Sequence, residues 1–241
     1  VSLLSIIQRA SLASNILPAP SAAFTSVDPQ IAQLVEFATK TGEELVERSE
    51  WRNLKMGGQL TGDGVTTLFM LPADWQRFCP SSNSQNSPLV SLARPTIPII
   101  GPIKDEDLNM RKALPMATIF PVWRLIGGTI EIWPALADGE TISFSYYSKY
   151  WIANSDASSR FDAWTSDTDV SLIPERLIIL GAIWRYKRSK GLDYAEEFRE
   201  YELAISRATG QQDMGRSVST TAQRPWPDNY WPGVITPPTS T

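Results

Sequence analysis

The stretch from Leu172 to Ala208 constrains this chain most, because it carries the longest helical pattern and the clearest start signals. Pro174 suits a first helical turn, where its missing N–H is no loss. Leu177, Ile178, Leu180, Ala182, Ile183 and Trp184 follow it so densely that this segment has to be covered by other elements. Gly191 interrupts the pattern. Asp193 with Glu196 then reads as a capping box opening a second helix, whose face is Tyr194, Phe198, Tyr201 and Ile205, while Glu197, Arg199 and Glu200 point away. A buried helix followed by a half-exposed one is therefore the scaffold against which the rest of the chain packs.

Two helices precede it. Leu3, Leu4, Ile6, Ile7, Ala10 and Leu12 mark an apolar face over Leu3–Ala13, which Leu17-Pro18-Ala19-Pro20 ends. Asp28-Pro29 places cap and proline in the favoured order for a second helix, with Ile31, Leu34, Val35, Ala38 and Leu45 as its buried stripe. Its far end is charged, with Glu43, Glu44, Glu47, Arg48 and Glu50, and Trp51 is the expected anchor to the next element.

From Gly57 the pattern changes to strands and turns. Thr61-Gly62-Asp63-Gly64 followed by Val65–Leu71 reads as a hairpin leaving the helices. Pro80–Pro88 reads as an exposed loop, Leu89–Ile103 as at most an edge strand because of its prolines, and Asp105-Glu106-Asp107 as the opening of one or two helical turns. Val122–Ile126 and Thr129–Trp133 flank Gly127-Gly128, a tight-hairpin signature. Thr141–Ser148 alternates, with Ile142, Phe144 and Tyr146 on a core face and Thr141, Ser143 and Ser145 on a wet one. Asn154–Ser171 reads as a polar loop pinned at Phe161 and Trp164. After Ala208 aliphatic periodicity fails, yet Arg224-Pro225-Trp226-Pro227 and Tyr230-Trp231-Pro232 remain: an extended arm that buries no core of its own.

The expected fold class is thus α+β, a bundle of about four helices (1–56 and 165–208) with an inserted antiparallel β subdomain (57–152) and an extended C-terminal arm (209–241). The 241 residues include no histidine and one cysteine, Cys79, which excludes Ser-His-Asp and Cys-His catalysis, internal disulfides and His-ligated zinc. A net charge of −4 leaves no global footprint for gripping nucleic-acid phosphates. No glycine-rich Lys-Ser/Thr loop is present, so no cofactor is expected. No apolar run approaches a membrane span, and Val1-Ser2-Leu3-Leu4 lacks the flanks of a signal peptide, which makes cytoplasmic synthesis the expectation.

Three stretches together resemble the head-to-tail adaptors of short-tailed bacteriophages, of the tail accessory factor or tail tubular protein A type. They are Leu60–Trp75 with its Leu71-Pro72-Ala73-Asp74-Trp75; Trp123–Pro134 followed by Gly139–Tyr146; and Ile173-Pro174-Glu175 with Gly191–Ala195. Their order and spacing carry the likeness, over residues 1 to about 208. The resemblance implies a non-enzymatic ring of about twelve copies beneath the portal at the virion neck. The ring would join the tail and let double-stranded DNA pass. Its partners would be other copies of itself, the portal protein, and tail nozzle, tail tube and fibre proteins. In such adaptors the helices build the ring and channel, and a C-terminal arm docks on the portal.

Trp226, Tyr230 and Trp231 are the candidate docking residues of that arm, the alternative being an arm folded back on its own domain. Glu43, Glu44, Glu47 and Glu50 either line a channel that repels DNA or form a solvated helix face. Arg185, Lys187, Arg188 and Lys190 either complement a helix dipole or meet an acidic partner or DNA. Two other functions compete. A cell-wall glycoside hydrolase would draw on Asp74, Asp105, Glu106, Asp107 and Glu131, which nothing in the sequence brings to a defined separation. A carbohydrate-binding tail component would use exposed tryptophans, whereas Trp51, Trp123, Trp133, Trp151 and Trp184 sit in core patterns.

Overall fold

The computed structural model describes residues 2–80, 87–113 and 120–213. The helices are α1 (Leu3–Ala13), α2 (Pro29–Arg48), α3 (Asp105–Ala113), α4 (Glu175–Ser189) and α5 (Ala195–Asp213). The strands are β1 (Lys55–Thr61), β2 (Leu68–Met70), β3 (Trp75–Phe78), β4 (Leu89–Ser91), β5 (Val122–Ile126), β6 (Thr129–Trp133), β7 (Thr141–Ser148), β8 (Ile152–Ala153), β9 (Arg160–Phe161) and β10 (Val170–Ser171).

Helix α4 is the hub of the helical body, and α1, α2 and α5 all pack on it. It starts directly after Pro174, which takes the cap position, and stops where Gly191, at φ +70°, lets the Leu192 N–H return to the Lys187 carbonyl at 3.0 Å. Helix α2 begins as the sequence dictates: Asp28 accepts from the Gln30 N–H at 2.8 Å and Pro29 occupies the first turn. At its other end Trp51 is buried and its indole donates to the Leu45 carbonyl at 2.7 Å. The backbones of α2 and α4 approach closely. No Cβ would fit at Gly181, against Thr41, or at Gly42, against the Trp151 ring.

Helix α1 has no side-chain cap; the Asp169 and Asp167 carbonyls accept from the Leu3 and Leu4 N–H groups at 2.8 and 3.2 Å. The Asp167 carboxylate also holds the α1–α2 connection, accepting from Ala23 and Phe24 N–H at 3.0 and 2.7 Å. These residues lead into β10 of a small antiparallel sheet of order β10-β8-β9 lying against the helical core, where Trp164 packs edge-on against Trp151 at 5.1 Å. Asn154–Ser171 is mostly turns and bends, as expected of a loop pinned at Trp164, with only Arg160–Phe161 and Val170–Ser171 joining this sheet. Strands of two residues leave no periodicity to read.

A second core fills the β part. Strand β7 is central, with β1 on one side and β3 and β4 end to end on the other; β2, β6 and β5 form a separate sheet. Phe78 joins the two, edge-on to Trp123 at 5.3 Å and to Phe144 at 5.5 Å. The Gly127-Gly128 hairpin forms as expected, with both glycines at positive φ and Ile126 paired to Thr129. Ile142, Phe144 and Tyr146 of β7 are buried as the alternation requires, whereas Thr141, Ser143 and Ser145 are half-buried rather than wet, because β7 is flanked on both sides.

Several expectations are corrected. The fold is not a four-helix bundle carrying one small inserted β subdomain. Among the described residues there are five helices and three separate antiparallel sheets; α3 lies in the β part and the β8–β10 sheet packs with the helices. The hairpin expected at Thr61–Gly64 is absent, since β1 pairs with β7 from Lys55↔Tyr147 to Thr61↔Thr141 while β2 pairs with β6. The cause is local as well as long-range: Asp63 accepts from the Val65 and Thr66 N–H groups and turns the chain into the other sheet, while Gly62 bonds to Glu140 and Gly139. Leu89–Ile103 yields only β4 and an isolated bridge from Ile100 to Val122. Helix α5 continues past Ala208 to Asp213, so the first residues assigned to the arm are helical. Among the described residues no helix is long and apolar enough to cross a membrane.

Candidate functional site

Helices α2 and α4 run antiparallel, with Gln33 beside Ser189 and Thr41 beside Gly181, so their charged ends lie apart and are linked through Glu44 and Arg185. Glu44 turns inward to an ion pair with Arg185. Arg185 also donates to Thr41 Oγ1 at 2.9 Å and to the Gly181 carbonyl at 3.1 Å, and its guanidinium lies 4.4 Å from the Trp184 ring centroid. Arg48 forms a bidentate pair with Glu202 of α5, which raises the Arg48 pKa and lowers that of Glu202. Glu44 and Arg185, expected as channel or partner charges, are thus neutralised within the chain, where they rivet α2 to α4. Glu43, Glu47 and Arg188 remain exposed.

The face of α5 departs most from expectation. Tyr201 and Ile205 are buried, but Leu192, Tyr194 and Phe198 are 53%, 37% and 40% exposed. Asp193 caps the helix, accepting from the Ala195 N–H at 3.1 Å, and the Lys187–Glu197 pair holds this end against α4. Phe198 and Tyr194 pack against Trp184 at ring-centroid distances of 5.1 and 6.3 Å. Trp184 is itself buried, and its indole N–H has no acceptor among the described residues. Trp184 also joins Phe37, Lys40, Arg185, Arg188 and Ser189 in lining a shallow pocket of about 360 Å³. Leu192, Tyr194 and Phe198 thus form an exposed apolar patch, and the pocket lined by Trp184 carries Lys40, Arg185 and Arg188. Phe37, Lys40 and Trp184 were not singled out from the sequence as a site. The available signal was the apolar face of α5, whose first turn at Phe198 is left half-exposed among the described residues.

The carboxylates considered for hydrolysis are placed differently. Glu131 is buried and ion-paired with Lys112 of α3 and with Arg124, which also holds Asp105 at 2.7 Å. Glu140, which was not among those candidates, accepts from Ser91 Oγ at 2.6 Å, from Arg94 and from the Ala137 N–H. Burial opposes ionisation of both, but the hydrogen bonds from these donors outweigh it and lower each pKa. A general acid requires the opposite shift. Asp74 accepts from the Tyr146 hydroxyl at 2.8 Å, far in sequence from the Glu131 cluster. These ion clusters pin α3 and the turn before β7 to the sheets.

They also set a pH dependence. A glutamate whose pKa is lowered by folding contributes stability above its ordinary value of 4.5 and loses it as pH falls through the lowered value. Asp169, where burial is outweighed by the Thr165 and Ser166 donors, behaves likewise below 3.8. With no histidine in the chain, the melting temperature should stay flat from neutral pH to about pH 5 and then fall. Thermal scans of Glu140→Gln should show a shallower acid fall from a lower plateau; an unchanged acid limb would contradict this assignment.

Leu68, Met70 and Ile126 form a second exposed apolar patch near the β5–β6 turn. Trp226, Tyr230 and Trp231 lie outside the described residues. The chain matches no known protein-family model, and no curated protein is significantly similar to it.

Proposed function

We propose that this protein is a head-to-tail adaptor of a phage virion, assembling as a ring of about twelve copies under the portal, joining it to the tail and leaving a passage for DNA. The observation that carries the reading is the uncovered aromatic end of α5. Residues spaced as core stay exposed in the single chain, as expected of a component completed by its neighbours. The ordered likeness of Leu60–Trp75, Trp123–Tyr146 and Ile173–Ala195 to such adaptors supports it. In this reading Glu43 and Glu47 are the charges available to a channel, the Glu44–Arg185 pair braces the helices, and Trp226, Tyr230 and Trp231 dock on the portal or a neighbouring copy. The competing functions lack comparable support. Glu131 and Glu140 are held ionised by cationic partners, and Trp51, Trp123, Trp151 and Trp184 are buried where no sugar can stack.

The test uses purified portal rings. Full-length protein should assemble on them as a closed ring visible by electron microscopy. A chain ending at Asp213 should keep its unfolding midpoint and lose portal binding. Equal docking by the two chains, or no ring on any portal, removes the proposal.

A further inference from the structure

We propose that the open edge of β1 takes residues 217–223 of the same chain as an added parallel strand. Strand β1 pairs with β7 without a break from Lys55 to Thr61. Backbone groups alternate in direction along a strand, so only every second residue of β1 bonds to β7. Ser145, opposite Gly57, gives its carbonyl to the Cys79 N–H, and Thr141, opposite Thr61, gives its carbonyl to the Leu92 N–H, both on the far side of β7. The N–H and C=O groups of Gly57, Gln59 and Thr61 therefore point away from β7, and none has a hydrogen-bond partner among the described residues. The devices that block strand addition are missing. Strand β1 has no proline and no bulge, its one charge is Lys55 at the end, and nothing lies within 4 Å of a Cβ built on Gly57. The outer edge of β5, by contrast, is covered by Ile100 and Ile103.

The position of α5 selects the occupant. Its start is held to the end of α4 by the Lys187–Glu197 pair, and its later turns face the start of α4, where Ala208 and Pro174 line one groove. Just before α4 the Leu172 carbonyl accepts from the Asn53 side chain at 3.0 Å, and β1 begins at Lys55. Helix α5 thus delivers the chain to the Lys55 end of the open edge. After Asp213 come Met214-Gly215-Arg216, which span up to about 10 Å when extended. Ser217–Gln223 follows, free of proline and glycine and carrying the β-branched Val218, Thr220 and Thr221. A segment entering at Lys55 and running toward Thr61 lies parallel to β1 and bonds to its outward groups. Trp226, Tyr230 and Trp231 come after this segment, so the inference is independent of the adaptor reading. Held by edge hydrogen bonds alone, the strand detaches below the temperature at which either core unfolds, which leaves the unfolding midpoint unchanged.

The test is amide hydrogen exchange, followed by nuclear magnetic resonance, on the full-length protein and on a full-length variant carrying both Thr220→Pro and Thr221→Pro. Neighbouring residues of a strand direct their N–H groups to opposite sides, so the two prolines remove an inward donor in either register. The expected result is that the Gly57, Gln59 and Thr61 amides exchange about tenfold more slowly in the parent than in the variant at every protein concentration, while those of the helical core exchange alike in both. Equal exchange at the three amides in parent and variant, or protection that grows with protein concentration, as a strand supplied by a second copy gives, would each overturn the inference.

Discussion

Trp151→Ala should destabilise the protein by about 3–5 kcal/mol, among the largest effects of any single substitution in the helical body. Trp151 is 1% exposed and lies at the junction of all the parts that hold this body together. Its ring covers Gly42 of α2 and meets Trp164 edge-on, its indole donates to the Asp162 carbonyl at 3.1 Å, and its own carbonyl accepts from Leu172 ahead of α4. Truncation leaves a cavity between α2 and the β8–β10 sheet that neither helix can close, because the α2–α4 approach is already limited by Thr41 against Gly181. The same contact predicts a coupling. Gly42→Ala alone pushes a methyl into the ring and should cost about 1–3 kcal/mol, whereas in the Trp151→Ala background that methyl enters the cavity and its cost should vanish. Urea unfolding of the four proteins measures both effects. Additive costs would show that Trp151 and Gly42 do not share this space.

Glu131→Ala should cost about 3–5 kcal/mol in the β part. The Glu131 side chain is 5% exposed and balances Lys112 and Arg124; its removal leaves the largely buried Arg124 guanidinium with the exposed Asp105 as its remaining partner. Lys112, near the end of α3, can return to water and release that helix from β6. Glu131→Met combined with Arg124→Leu should recover much of the loss, because the desolvation of both charges is removed along with their attraction. The near-ultraviolet signal of Trp133, whose ring centroid lies 5.7 Å from the Lys112 ammonium, reports the change locally. If Glu131→Ala unfolds at the parent's urea midpoint, the cluster contributes nothing and α3 is held by other contacts.

These two sites differ in how far the sequence announces them. Asp28-Pro29 at the head of α2, Gly191 after α4, Asp193 before α5, the Gly127-Gly128 turn and the alternation of β7 are all readable, because each rests on groups within a few residues of one another. Trp151 is readable as buried, but its seat on Gly42 is not. Of the candidate charges, Glu43 and Glu47 sit exposed on the helix surface as a solvated acidic run would, whereas Glu44 and Arg185 are separated by 141 positions and no local pattern marks them as partners.

Residue order alone set where α1, α2, α4 and α5 begin, which strand alternates, and which catalytic chemistries lack their residues, since caps, turns and amphipathic periods are short-range properties of the chain. Tertiary structure alone decided that β1 pairs with β7 instead of β2, that two-residue strands build a third sheet capping α1, and that the first turns of α5 stay uncovered. The physical reason is that sheet pairing and burial depend on which distant surfaces meet, and a hydrophobic period states only that a face needs cover, not what covers it.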